Sequence, residues 1–214
     1  ITPDGVGTNA DAHAPDPHGR GHAAAIQRED VDAALRTGAP SINVDQRGVA
    51  IAAEAAAALV KFLGADAHDW SSFREEQTVD VARDAIVKAA TYLRDEQGFA
   101  LLSDISPCDR DGSEHTHPAR FNVDYHVTKL VEGAPRVRLR VWVAEGEHIP
   151  SVINVYPTAD WHEREAFDFF GIEFTGREGL RRLIMPDDWV GHPLRKDYPI
   201  GGEPVKFTNA AREL

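Results

Sequence analysis

Two neighbouring stretches of the chain alternate apolar and polar side chains, and this pattern restricts the fold more than any other feature. Residues 121–128 place Phe, Val, Tyr and Val at every second position, and residues 136–143 place Val, Leu, Val and Val in the same way. Such alternation is typical of β-strands with one buried and one polar face. Because residues 132–135, Glu-Gly-Ala-Pro, favour a turn, the two stretches predict a β-hairpin.

The polar side of this predicted hairpin carries opposite charges. Asp124 and His126 belong to the first strand, and Arg138 and Arg140 belong to the second. Cross-strand pairs of opposite charge usually stabilise a sheet, by about 0.2–1 kcal/mol each. We therefore interpret the cluster as structural and not as catalytic.

Helical and strand patterns alternate in the rest of the central region. Further strands are predicted at residues 77–81 and 99–105, and helices at 29–36, 48–63 and 86–93. Glycines at 64 and 98 are expected to end the last two helices. This order predicts an α+β fold, a two-layer sandwich in which helices cover one face of a mostly antiparallel sheet.

The chain divides into three parts by composition. Residues 1–25 are rich in Gly, Pro, Asp and His and predict a mobile or extended tail. Residues 26–174 form the predicted α/β core domain. Residues 175–214 contain several prolines and few apolar repeats, and we expect an extended C-terminal strap that binds a partner.

Composition excludes several kinds of function. A net charge of −12 repels phosphate backbones, so nucleic acid is not an expected partner. The single cysteine, Cys108, forms no internal disulfide and cannot hold an iron–sulfur cluster, which needs about four thiolates. Residues 5–10 match a GxGxxA fingerprint but lack the flanking strand and helix of a dinucleotide site. We find no run of about 20 apolar residues that predicts a membrane helix, and no signal-peptide pattern.

The charged stretch at residues 161–174, WHEREAFDFFGIEF, predicts a helix that ends at Gly171. Asp160 and Glu163 have a spacing close to that of a capping box. Arg164 and Asp168 are four residues apart and are expected to pair on the helix surface. Every charge in the stretch therefore has a possible structural use.

A metal-dependent hydrolase is the alternative interpretation of the same helix. His162, Glu163, Glu165 and Asp168 are the residues that would carry it. A helical zinc peptidase site needs a second His four residues after the first, but Ala166 occupies that position. The spacing therefore gives this alternative little support.

Two long motifs together resemble a known family. ERE-AFD-FFG at residues 163–171 is followed by LRRLIMPDDWVGHPLRKDYP at residues 180–199. Both are similar to the C subunit of NADH–quinone oxidoreductase, which is the 30-kilodalton subunit of respiratory complex I, over roughly residues 77–199. The signature and interface residues that this resemblance marks are Glu163, Arg164, Glu165, Asp168, Gly171, Arg181, Arg182, Trp189, Pro193, Arg195, Lys196, Asp197 and Tyr198.

The resemblance implies a non-catalytic subunit of a proton-translocating enzyme complex. FMN, the iron–sulfur clusters and the quinone site belong to other subunits of that family's complex, so no cofactor, metal or catalytic residue is expected in this chain. The implied partners are the quinone-site (D) subunit, the terminal-cluster (B) subunit and their neighbours in the peripheral arm. The implied location is the cytoplasmic side of a bacterial cell membrane, with membrane contact only through other subunits. Relatives usually have His-Pro where this chain has Arg177 and Glu178.

The resemblance also gives the locally basic C-terminal segment a role. Prolines at 186, 193 and 199 keep the segment out of helices. Trp and Arg are favoured anchors at the centres of protein interfaces. We expect Trp189, Arg195 and Lys196 to lie across a partner surface, and the segment not to fold back on its own chain.

Overall fold

The structure, a computed structural model, describes residues 46–112 and 117–199. The predicted tail at 1–25, its GxGxxA match and the predicted helix at 29–36 lie outside these residues. The helices are α1 (Gln46–Leu63), α2 (Ile86–Asp95) and α3 (Ala159–Phe170), with short 3-10 turns at Gly64–Asp66 and Arg83–Ala85. The strands are β1 (Ala67–Phe73), β2 (Glu76–Val81), β3 (Leu101–Asp109), β4 (Phe121–Thr128), β5 (Arg136–Val143), β6 (His148–Pro150) and β7 (Glu173–Thr175).

Five of these strands form one sheet in the order β1-β2-β5-β4-β3. All neighbours are antiparallel except β2 and β5, which are parallel. Asp124 lies opposite Arg140 and His126 opposite Arg138, as the alternation on the polar face predicted. The short strands β6 and β7 pair in parallel as a separate two-stranded sheet.

The core lies between one face of the sheet and helices α1 and α2. Apolar residues at alternate positions of β2, β4 and β5 are fully buried, among them Val79, Val123 and Leu139. Helix α2 contributes Ile86 and Leu93 from one face, at the spacing that the sequence predicted. This arrangement confirms the predicted two-layer α+β sandwich.

Helix α1 also satisfies a length-and-composition test for a membrane span. The segment Arg47–Asp66 is long and apolar enough to cross a bilayer, which the sequence analysis did not anticipate. In the structure its Ala52, Ala55, Ala56 and Leu59 side chains are buried in the core. Helices that cover a sheet in a soluble domain pass the same test, so this match alone is weak evidence for membrane insertion.

Four strands differ from the prediction. Strand β1 was missed because six of its seven residues are exposed, so it shows no apolar alternation. Strand β3 occupies 101–109 and not 99–105. Phe99 is buried, but its N–H bonds to the carbonyl of Leu93 and closes the end of α2. Strands β6 and β7, with three residues each, are too short to show a periodic pattern.

Candidate docking surface

The start of helix α3 differs from the predicted capping box. Thr158 occupies the cap position without a side-chain capping bond, and Asp160 and Glu163 do not form the reciprocal cap, so that prediction was wrong. Glu163 is fully buried, and its carboxylate accepts hydrogen bonds from the hydroxyl of Ser151 (2.7 Å) and the N–H of Val152 (2.9 Å). Glu163 therefore joins α3 to the segment that follows β6.

A buried arginine neutralises this carboxylate. Nη1 of Arg177 lies 3.1 Å from Oε2 of Glu163, and Nη2 contacts the carboxylate of Asp160. The Arg177 side chain is only 2% exposed. Burial raises the pKa of Glu163 above its ordinary value, although hydrogen bonds from Ser151, Val152 and Arg177 act to lower it.

The buried carboxylate of Asp168 holds a turn of the C-terminal segment. Its Oδ2 accepts hydrogen bonds of 2.7–3.0 Å from three consecutive backbone N–H groups, those of Leu183, Ile184 and Met185. Its Oδ1 accepts a bond of 2.8 Å from Arg182. Burial acts to raise the pKa of Asp168, but these bonds outweigh it and hold the pKa below its ordinary value.

The Arg182 guanidinium connects three parts of the chain. Besides the Asp168 carboxylate, it donates to the carbonyls of Trp189 and Gly191, both at 2.9 Å. Its five donors in a fixed planar arrangement suit this use better than a lysine ammonium would. Arg182 thus closes the loop between residues 182 and 191 against α3.

Arg164 does not form its predicted pair with Asp168, and that prediction was wrong. Its guanidinium donates to the carbonyls of Arg181 (3.4 Å) and Arg182 (3.1 Å) and lies 5.0 Å from the ring centroid of Trp161. Asp168 points to the separate set of partners described above. Both charges of the predicted helix-surface pair are therefore used to hold the C-terminal segment.

Gly171 ends α3 as predicted, and it is required for two reasons. Its φ of 70° lies in the left-handed region, and its N–H bonds to the carbonyl of Phe167. A Cβ at this position would also lie 2.6 Å from the ring of His192 and 2.8 Å from the guanidinium of Arg195. Arg195 in turn donates to the carbonyl of Phe170, so the C-terminal segment packs directly on the helix end.

A second anchor holds the end of the described segment against the sheet. The buried Asp109 carboxylate accepts hydrogen bonds from Arg120 (2.8 Å) and from the backbone N–H of Lys196 (3.0 Å). Arg120 also pairs with Asp197 at 2.7 Å and with Glu145 at 3.1 Å. Burial acts to raise the pKa of Asp109, but Arg120 and the backbone donors lower it to about 2.

These contacts correct one part of the expected strap. Residues 176–199 contain no helix or strand, as the prolines predicted, but they fold back on α3 and on the β3–β4 edge of the sheet. Arg195 and the Lys196 ammonium are held by groups of the same chain, including the carbonyl of Asp111. Pro193 and Tyr198 are half-buried, and the Tyr198 ring lies against Gly191.

What remains exposed on this anchored region includes charged side chains of both signs and four large apolar side chains. Val190 is 85% exposed, and Trp161, Ile184 and Leu194 are each more than half exposed. We call these four residues the C-terminal surface. Arg181, also exposed, adds a positive charge. Exposed large apolar side chains are candidates for contact with another protein, and we treat these four as the candidate docking surface.

The four residues of the hydrolase alternative do not converge. His162 lies 3.5 Å from Asp104 on β3, Glu163 is buried with an arginine, and Glu165 is exposed on the helix surface. Asp168 is engaged by Arg182 and three backbone N–H groups. No group of three His, Cys, Asp or Glu side chains in the described part of the chain is arranged to hold a metal ion. The geometry therefore gives this alternative no support.

Several residues of the anchors were not found from the sequence. Arg177, Asp109, Arg120 and Glu145 carry no local spacing signal, because their partners are 11 or more residues away along the chain. For Arg120 a signal did exist. Arg120 precedes β4 by one residue, and the antiparallel register of β3 with β4 places the first residue of β4 opposite Asp109.

Comparisons with known proteins agree with this geometry. Residues 79–204 match the family described as respiratory-chain NADH dehydrogenase, 30 Kd subunit. The chain is 46% identical over 143 residues to the C subunit of NADH-quinone oxidoreductase from Mycolicibacterium gilvum (strain PYR-GCK), covering 64% of this chain and 60% of the relative. It is 44% identical over 140 residues to the corresponding subunit of Salinispora tropica, covering 64% and 56%.

A solved structure is similar as well. It is a trypsin-resistant fragment (1-134) of Nqo5, with a TM-score of 0.53 and 26% sequence identity, covering 59% of this chain and 99% of the fragment. The chain spans about 60% of the length of the first curated relatives that it matches. The family match covers more than half of the chain and includes β2 through the C-terminal surface. The chain therefore belongs to the family of the 30-kilodalton subunits of respiratory-chain NADH dehydrogenase.

Proposed function

We propose that this chain is a scaffold subunit in the peripheral arm of a proton-translocating NADH–quinone oxidoreductase. Electrons pass from NADH through FMN and iron–sulfur clusters to quinone in other subunits, and this chain holds neighbours in place. Its main partner is the quinone-site subunit, with the terminal-cluster subunit nearby. The complex places it on the cytoplasmic side of a bacterial membrane, without a membrane contact of its own.

One observation supports the proposal most strongly: the charged residues of the family motif are used to fix a segment, and that segment exposes apolar residues. Glu163 and Asp168 are each buried and paired with an arginine. A carboxylate engaged in this way cannot serve as a general base for a substrate without breaking its pair. Glu163 and Asp168 are therefore structural residues, and the segment that they fix in place carries most of the C-terminal surface.

The arginines contribute to docking less directly than the sequence indicated. Arg177, Arg182 and Arg195 are bound within the chain. The exposed charges beside the surface are of both signs, among them Arg181, Asp187 and Asp188. We therefore expect apolar contacts to supply most of the docking energy. About 25 cal/mol for each Å² of buried apolar area is the usual scale of this effect.

The central test is recovery of the tagged chain from membranes, with mass spectrometry of its companions. The wild-type chain should recover the quinone-site and terminal-cluster subunits. The V190D variant should recover at least tenfold less of both, because it places a charge in the apolar surface without touching the core. L130D is the matched control, since Leu130 is 69% exposed but lies in the β4–β5 loop. Equal recovery by V190D and wild type would contradict docking through this surface.

The same purified chain tests the expectation that cofactors belong to other subunits. We expect elemental analysis to find no stoichiometric metal and the isolated chain to show no visible absorbance. The reason is that the buried carboxylates of Glu163 and Asp168 are paired with arginines and the chain has one cysteine. Stoichiometric zinc or iron on the isolated chain would contradict this expectation.

A further inference from the structure

The two edge strands of the main sheet, β3 and β1, differ in how far other parts of the chain cover them. Strand β3 is covered by α3: the Thr158 hydroxyl bonds to the carbonyl of Leu102, and Pro107 removes one backbone donor from this strand. Strand β1, at the other edge, has no neighbour on its outer side among residues 46–112 and 117–199. An unpaired edge strand presents a row of backbone N–H and C=O groups to which another strand can bind.

The hairpin geometry identifies the backbone groups that point outward. Strands β1 and β2 are joined by the two-residue turn Arg74-Glu75, so Phe73 and Glu76 form the first hydrogen-bonded pair. Because the pattern alternates, the N–H groups of Ser72 and Trp70 point away from β2. The N–H of Trp70 bonds to the side chain of Asp69 (2.8 Å) and not to β2, in agreement with this assignment.

Strand β1 has only part of the usual protection against pairing, namely a register irregularity between Ala67 and Asp69 and the charge of Asp69. The sequence AHDWSSF contains no Lys, Arg or Pro, the residues that most often block an edge. Trp70 lies opposite Val79 and Phe73 lies opposite Glu76, which places these two exposed aromatic side chains on opposite faces of the sheet. A strand added at this edge would therefore find an aromatic contact on each face.

The charges of the polar face indicate what that strand carries. The register places Asp124, Arg140, Asp80 and Asp69 in one row across four strands. Asp124 and Arg140 form a two-bond pair, and Asp80 accepts a bond from Trp142. Asp69 lies directly opposite Asp80 and has no cation of the described residues within ion-pair distance. Like charges in direct opposition destabilise a sheet, and a cation on the next strand would remove this cost.

We propose that the outer edge of β1 binds an extended strand of another subunit, with a Lys or Arg beside Asp69 and an apolar residue beside Phe73. Asp69 and Phe73 are four residues apart, so the matching pair on the partner strand has the same spacing. The inference rests on the proposed function in one respect, that the chain is part of a multisubunit complex. A second copy of this chain, paired through its own β1, fits less well. Each copy has a net charge of −12, and β1 contains no Lys or Arg that could lie beside Asp69.

The test compares two variants at one position in the full-length chain. S72P removes an outward N–H and leaves the bonds to β2, whereas S72A removes only the hydroxyl that accepts a bond from Gln77. S72A should recover companion subunits from membranes as wild type does, and S72P should recover at least tenfold less. D69K, at an exposed position, should also recover at least fivefold less. Urea unfolding of each isolated variant checks that the fold is kept.

Amide hydrogen exchange supplies an independent readout. The amide of Ser72 should exchange at least tenfold more slowly in the purified assembly than in the isolated chain. Slow exchange in the isolated chain would overturn the inference. It would mean that residues 1–45 or a second copy of the chain already occupy the outer edge of β1. If wild type recovers companions from complex I and both S72P and D69K recover as much, the inference fails and the proposed function stands. If wild type recovers none of them, both fail.

Discussion

Replacing Asp168 by asparagine is expected to lower the free energy of unfolding by about 3–5 kcal/mol. The carboxylate is fully buried and accepts bonds from Arg182 and from three consecutive backbone N–H groups. Asparagine offers one oxygen and turns its NH₂ group toward the other set of donors, so either Arg182 or the three backbone N–H groups lose their acceptor. In both cases the Arg182 charge loses its counter-ion. Urea unfolding measures the loss. Trypsin cleavage after Arg181 should become at least tenfold faster, because Asp168 holds the turn that follows it.

Glu165 supplies the control on the same helix. Its side chain is exposed and makes no hydrogen bond or ion pair with the described residues, so E165Q should change stability by no more than about 0.5 kcal/mol. E165Q should also leave trypsin cleavage at the wild-type rate. A D168N variant as stable and as resistant to trypsin as E165Q would show that Asp168 does not anchor the C-terminal segment.

The same variant has a defined pH dependence. The folded pKa of Asp168 lies below its unfolded value of about 3.9. Its contribution is therefore fully present above that value and is lost as the pH falls through the folded pKa. The stability difference between wild type and D168N should accordingly shrink below about pH 4. Protonation of Asp109, whose pKa is about 2, also lowers the stability of the fold in acid, and the D168N substitution does not remove that effect.

Local patterns were sufficient to predict the centre of the sheet. The alternation in β4 and β5 predicted both strands, their apolar faces and the two arginines, Arg138 and Arg140, opposite Asp124 and His126. This succeeded because apolar side chains recur at every second residue of both strands, so a short window contains the whole signal. Helix α2 and the end of α3 at Gly171 were predicted from equally local signals, which are the helical spacing of apolar residues and the glycine at the helix end.

The partners of the α3 carboxylates could not be predicted in this way. Helical spacing proposed partners within one turn, but Glu163 and Asp168 each pair with an arginine 14 residues further along the chain. The chain reverses direction after Gly171, and this reversal brings Arg177 and Arg182 back to the helix. Burial then decides the outcome, since a buried carboxylate needs a cation and several donors.

The prediction of an extended C-terminal strap was wrong in part for a related reason. Proline content predicted correctly that residues 176–199 form no helix, but it carries no information about what the segment packs against. Trp189, Arg195 and Lys196 were assigned to a partner because Trp and Arg are favoured interface anchors and the prolines were expected to keep the segment extended. The actual contacts of Arg195 and Lys196, at the end of α3 and beside Asp109, depend on long-range geometry. What the segment leaves exposed, Val190 above all, was not apparent from charge counting.

Replacing Arg177 by methionine is expected to cost about 3–5 kcal/mol at about pH 7.5. The Arg177 side chain is buried against Glu163 and Asp160. Methionine fills similar volume but leaves the fully buried Glu163 carboxylate without a cation. Urea unfolding at two pH values measures the effect, because the cost depends on whether Glu163 carries a charge.

The sign of that dependence follows from the pKa of Glu163, which burial already raises in the wild type. Without Arg177 the folded pKa rises further above the unfolded value of about 4.3, so the folded variant binds a proton that the unfolded chain releases. Stability of R177M should therefore fall as the pH rises from about 5 to about 7.5. The double variant E163Q/R177M removes the titrating group, and should recover most of the lost stability and be nearly independent of pH over this range. An R177M variant equally stable at both pH values would show that Glu163 does not depend on Arg177 for its charge.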